Sequence, residues 1–201
     1  MITPRLHALL DEHLRLLTLM GSKAYTNLRP GRSEGDIRSD FDAQGIPAPQ
    51  EAVDLFSWRE GANRLVPLFY SASLSTLKDT RVTRTGQMLV KWGRQNYGIP
   101  PTSEDEEPWK EDFVILLRND QLDFVLVKAY EPSPRPVYYY CGGRIFRLVD
   151  TFEEAVEVAT YGLTQGWYWV DPVTQLIMRV GATNSRTDPA EVPDGAAFAA
   201  A

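Results

Sequence analysis

The chain has one cysteine and two histidines in 201 residues. A lone Cys141 excludes an intrachain disulfide, and with it a secreted, disulfide-stapled scaffold. The histidines, His7 and His13, stand six residues apart in a segment of helical spacing. Six residues turn about 240° round a helix, so the two do not share the face that an i, i+4 metal pair uses. Cys141 has no histidine near it in sequence to act as base, and it reads as a structural thiol at a strand end. No apolar run approaches the roughly 18 residues of a membrane span. The opening MITPRLHALLDEHLRLL is broken by Asp11, Glu12, His13 and Arg15, so it lacks the apolar stretch of a secretory leader. A cytoplasmic protein is expected. The phosphate-cradling, nucleophile-elbow and zinc-protease patterns are missing too, and no cofactor or metal is expected. Basic residues are in deficit, 21 against 27 acidic for a net charge of -6. That disfavours a nucleic-acid footprint, which needs a basic face.

What is present reads as an α+β chain with its helices first. Leu6, Leu9, Leu10, Leu14, Leu16, Leu17 and Met20 recur at helical spacing between Pro4 and Gly21. Asn27 to Gly31 looks like a turn. Ser33 with Asp36 is an S-x-x-D cap for a second helix ending at Gly45. A third helix runs from about Gln50 to Arg59, with Gly61 as its C-cap. Arg64 to Tyr70 reads as extended, and Leu74 with Leu77 as a short helical turn. Phe113–Leu117 and Leu122–Val127 are dense apolar runs that suit the central strands of a hairpin. Around Gly142-Gly143, Val137 to Cys141 and Ile145 to Val149 alternate with a period of two, which predicts a second hairpin. Thr151 and Glu154 form a T-x-x-E capping box opening a further helix. Trp167–Val170 and Gln175–Val180 predict a last hairpin. An antiparallel sheet of five or six strands with helices packed on it follows. The organisation expected is a helical extension over residues 1–28, one α+β domain over 29–181 and a disordered tail over 182–201.

Charge is concentrated in two neighbouring segments. Arg81, Arg84, Lys91 and Arg94 stand with no acid between them, and Met88, Leu89 and Trp92 fall at helical spacing. From Glu104 to Asp112 there are six acids and one lysine, which accounts for nearly all of the net charge. Trp109 stands inside that run. Acid steers the encounter with a basic protein, and a tryptophan supplies contact energy. Glu104, Asp105, Glu106, Glu107 and Trp109 are therefore the candidate partner-binding residues, and no catalytic residue is assigned.

Three stretches together resemble the SUKH superfamily, the cell-wall-assembly-regulator-like domain. The first is GDIRSDFDAQGIPAPQEAVDLFSWREGAN, Gly35 to Asn63, similar to a helix, a Gly-Ile/Leu-Pro junction and a second helix ending in an aromatic residue. The second is LVPLFY with the SLSTL that follows. The third is PVYYYCGGRIFRLVDTFEEAV, similar to a closing strand pair and its capped helix. The match covers about Arg29 to Gln165. The turn Glu60-Gly61-Ala62-Asn63 departs from the usual Asn-Gly. The resemblance implies a binding domain rather than an enzyme. Bacterial members commonly act as immunity proteins that neutralise cognate polymorphic toxins, so a basic toxin domain is the partner expected first. A regulatory scaffold for a cellular partner is the alternative, followed by a small-molecule-binding protein or an enzyme using Cys141.

Overall fold

The computed structural model describes residues 3–62, 67–69, 73–74, 113–118, 124–141 and 144–179. In chain order the elements are α1 (Pro4–Leu19), α2 (Ala24–Asn27), β1 (Leu28–Pro30), α3 (Glu34–Ala43), α4 (Gln50–Trp58), β2 (Arg59–Ala62), β3 (Ser73–Leu74), β4 (Phe113–Arg118), β5 (Phe124–Lys128), β6 (Val137–Cys141), β7 (Arg144–Val149), α5 (Phe152–Thr164), β8 (Tyr168–Val170) and β9 (Ile177–Arg179). The class is α+β, as the sequence predicts. The main sheet is antiparallel in the order β3-β4-β5-β6-β7: four long strands, with the two-residue β3 added at one edge. β1-β2 and β8-β9 are separate two-stranded pieces.

Local sequence sets the helix limits. Pro4 occupies the first turn of α1, where a missing N–H costs nothing. Leu6, Leu10, Leu14 and Leu17, three or four apart, point to the core. Ser33 caps α3 by accepting the Asp36 N–H at 3.2 Å. Thr151 caps α5 by accepting the Glu154 N–H at 3.0 Å. The return bond of that box lands one residue early, with the Asp150 N–H donating to Glu154 Oε2 at 3.0 Å.

Three local expectations are corrected. Leu28–Pro30, inside the turn expected at Asn27 to Gly31, is strand β1, because it finds a partner in β2. Gly61 does not cap α4. It lies within β2 at a φ of 70°, where Glu60 and Gly61 of β2 stand opposite the single residue Arg29 of β1. A bulge of this kind needs the left-handed backbone that glycine adopts freely. Leu74 belongs to a strand rather than a helical turn, since Ser73 and Leu74 pair with Arg118 and Leu117 of β4.

One core gathers α1, α3, α4 and α5 against one face of the sheet. The segment read as an extension, residues 1–28, contributes Leu6, Leu10, Leu14, Leu17 and Ala24 to it. A bulge in β4 lets Leu116 and Leu117, adjacent in sequence, both join this side. The other face carries Phe113, Ile115, Phe124, Leu126 and Tyr140, also buried. Burial on both faces explains the unbroken apolar runs of β4 and β5, and β5 is the central strand. Residues 119–121 and 142–143, where hairpin turns are expected, lie outside the described residues, as do Leu122, Leu77 and the 182–201 tail.

Candidate functional site

The candidate residues Glu104, Asp105, Glu106, Glu107 and Trp109 lie outside the described residues, as does the basic stretch 81–94. Cys141 takes its expected place at the end of β6, opposite Arg144. Among the described residues, no group of three or more His, Cys, Asp or Glu is placed to hold a metal ion.

His7 and His13 leave α1 in different directions, as their spacing requires. His13 is buried, with its Nε2 2.6 Å from the carbonyl oxygen of Leu68 and its Nδ1 3.0 Å from Thr160 Oγ1. A carbonyl only accepts, so Nε2 carries the proton. The ring stacks on Phe69 with centroids 4.6 Å apart. Burial lowers the pKa from 6.5 to about 4, against the pull of the Leu68 hydrogen bond. His13 is thus a neutral pin joining α1, the Leu68-Phe69 segment and α5.

His7 stands beside a serine, an arrangement that invites a catalytic reading. Its Nε2 is 3.4 Å from Ser57 Oγ but 2.9 Å from the carbonyl oxygen of Asp54. The nearer carbonyl again fixes the proton on Nε2, leaving that nitrogen no lone pair for the serine. Ser57 itself donates to the same carbonyl at 2.9 Å. The buried carboxylate of Asp54 accepts from Thr3 Oγ1 and Gln50 Nε2, each at 2.7 Å. Trp58 donates its indole N–H to Asp11 at 2.7 Å. These polar groups hold α1 on α4.

A buried ion pair was not legible in the sequence. Arg135 Nη1 donates to Glu51 Oε2 at 2.9 Å, and the Arg135 N–H and Ser133 Oγ both donate to Glu51 Oε1 at 3.0 Å. One carboxylate on α4 therefore fixes the loop between β5 and β6, which sequence reading treats as a plain connection. The partners are 84 residues apart, and no local pattern relates them.

The surface holds a second feature that sequence reading missed. Tyr161 on α5, Trp167 just before β8 and Trp169 within it are exposed together with Leu176. Tyr161 and Trp167 meet edge to face, centroids 5.4 Å apart. Trp169 lies directly opposite Met178 on β9. The alternation Trp167, Tyr168, Trp169 signals a two-faced strand, but not which face is buried. The structure sends Tyr168, Val170 and Ile177 inward to the core and leaves the tryptophans outside.

Compared with the profiles of known protein families the chain matches none, and none of the curated proteins matches it.

Proposed function

We propose that the chain is a protein-binding domain, and that its partner is a polymorphic toxin which it neutralises as an immunity protein. The observation that carries the reading is the placement of the resembling stretches. The first supplies α3, α4 and β2, and the third supplies β6, β7 and the Thr151-capped α5. Leu68 and Phe69 of the second stretch lie between them in the same core. The resemblance thus falls on one packed unit rather than on scattered elements. The charge of -6 favours a basic toxin domain. No helix among the described residues is long and apolar enough to cross a membrane, and action in the bacterial cytoplasm belongs to this proposal.

Co-expression with the product of the neighbouring gene tests it. Immunity requires that the neighbour alone kills or arrests a host, that this chain restores growth, and that the two co-purify. A harmless neighbour, or toxicity undiminished by the chain, removes the reading. Replacing Glu104, Asp105, Glu106 and Glu107 with lysine then tests the acidic run. If it steers the partner, the association rate falls about tenfold at low salt and its salt dependence flattens. An unchanged salt slope returns the run to a solvated segment.

A further inference from the structure

Single exposed apolar side chains are ordinary on any protein surface. A continuous strip of them is not, and Tyr161, Trp167, Trp169, Leu176 and Met178 form one along α5 and the β8-β9 hairpin. Tyr161 is 54% exposed, Trp167 38%, Trp169 42% and Leu176 45%. Tyrosine, tryptophan and methionine are the residues enriched where proteins meet, and rigid aromatics carry most of the energy there. The contrast with Trp58 is instructive. Its indole N–H is bound to Asp11 and its ring is buried. Neither Trp167 nor Trp169 has its indole N–H engaged among the described residues.

Charge selects the partner. From Phe152 to Met178 the chain carries Glu153, Glu154, Glu157 and Asp171 and no lysine, arginine or histidine. Arg5 pairs with Glu157 near the middle of α5, one turn before Tyr161. Lys23, just before α2, and Arg179 in β9 border the hairpin, but none of the three cations belongs to the strip itself. Open aromatic faces in an acid-only stretch attract a cation, arginine most readily, because the guanidinium stacks flat on an indole. The unengaged indole N–H groups can donate to backbone carbonyls beside such an arginine. β8 and β9 pair only with each other among the described residues, which suits an extended ligand laid along the hairpin.

We infer that the outer face of α5 and the β8-β9 hairpin binds an extended, arginine-bearing segment of another protein, with Trp169 at its centre. The site includes no residue of the acidic run at 104–107 and does not require the partner to be a toxin.

The test is fluorescence anisotropy of the full chain with a labelled peptide alternating arginine and serine, beside its glutamate-serine counterpart. The arginine peptide binds, and the glutamate peptide does not. Trp169→Ala weakens binding at least about tenfold, as expected for a central aromatic anchor. Tyr161→Arg, at a position more than half exposed, places a like charge in the strip without touching the core and weakens binding to a similar extent. Lysine substitution at 104–107 leaves more than half of the affinity. No binding at millimolar peptide overturns the inference. So does binding that survives both strip variants and is lost with the acidic run, since a general attraction to acid then explains it. Self-association of the chain that Trp169→Ala abolishes also overturns it, because the face then receives a second copy. Toxin protection is scored separately, so either proposal can fail alone.

Discussion

Acid should unfold this protein earlier than its carboxylates alone require, and His13 is the reason. The ring is buried and uncharged in the folded chain, with a pKa lowered to about 4 from 6.5. In the unfolded chain it titrates near 6.5. Between those values the unfolded state binds the extra proton, so stability rises with pH through this window and falls as pH drops. The linkage amounts to about 2 kcal/mol lost between pH 7.5 and pH 5, approaching about 3 kcal/mol once pH is below 4. The site can host the cation once it forms. Thr160 has one hydroxyl proton and two acceptors, His13 Nδ1 at 3.0 Å and the Val156 carbonyl at 2.6 Å. A protonated Nδ1 donates to Thr160 Oγ1 while the hydroxyl turns wholly to Val156. The cost is therefore desolvation of the charge rather than a broken hydrogen-bond chain.

Urea unfolding at pH 7.5, 6.5, 5.5 and 5.0, on the wild type and His13→Gln, measures this. Glutamine offers the Leu68 carbonyl an N–H and cannot titrate. The variant is less stable at every pH because it loses the stack on Phe69, but its pH dependence over this interval is nearly flat. Glu12 and Glu34, lowered by their Arg15 and Arg38 hydrogen bonds, and Asp171, lowered by the Thr174 and Val173 N–H groups, give stability present above the unfolded carboxylate range. That stability is lost only as pH falls through and below that range, so their window lies beneath the one tested. Parallel slopes for wild type and variant would refute the account of His13.

Three further outcomes follow from packing. A Cβ added at Gly31 would stand 1.8 Å from the carbonyl oxygen of Ser57, so Gly31→Ala should lower stability by roughly 3 kcal/mol, read as an earlier urea midpoint. Glu51→Gln leaves Arg135 buried without its counter-charge, a loss of about 3–5 kcal/mol, whereas Glu51→Leu with Arg135→Met restores most of it. A double variant no better than the single one would show that the loop anchor, rather than the charge, is what matters. Thr151→Ala removes the cap of α5 at about 1 kcal/mol, while Thr151→Ser recovers it, both measurable by thermal unfolding.

What could be read from the sequence was what is decided by near neighbours. The Thr151 cap, the Ser33 cap, the Pro4 start and the β6-β7 hairpin each depend on residues within a few positions, and all stand where the pattern puts them. β1 and β3 escaped notice because their strand character comes from distant partners. Leu28 is extended because Ala62 is beside it, and Ser73 because Arg118 is. The Glu51–Arg135 pair is invisible for the same reason. The aromatic strip shows the limit most plainly. Trp167, Tyr168 and Trp169 are similar in size and hydrophobicity, and alternation alone cannot choose which goes inward. Gly162 chooses. Its missing side chain leaves room for the Tyr168 ring, which comes within 2.4 Å of where a Cβ would be. With Tyr168 seated against α5, the pleat of β8 turns both tryptophans outward. Gly162→Ala should therefore do more than destabilise the helix contact. By unseating Tyr168 it should disturb the geometry of Trp167 and Trp169 and weaken arginine-peptide binding, although Gly162 is itself buried and touches no ligand.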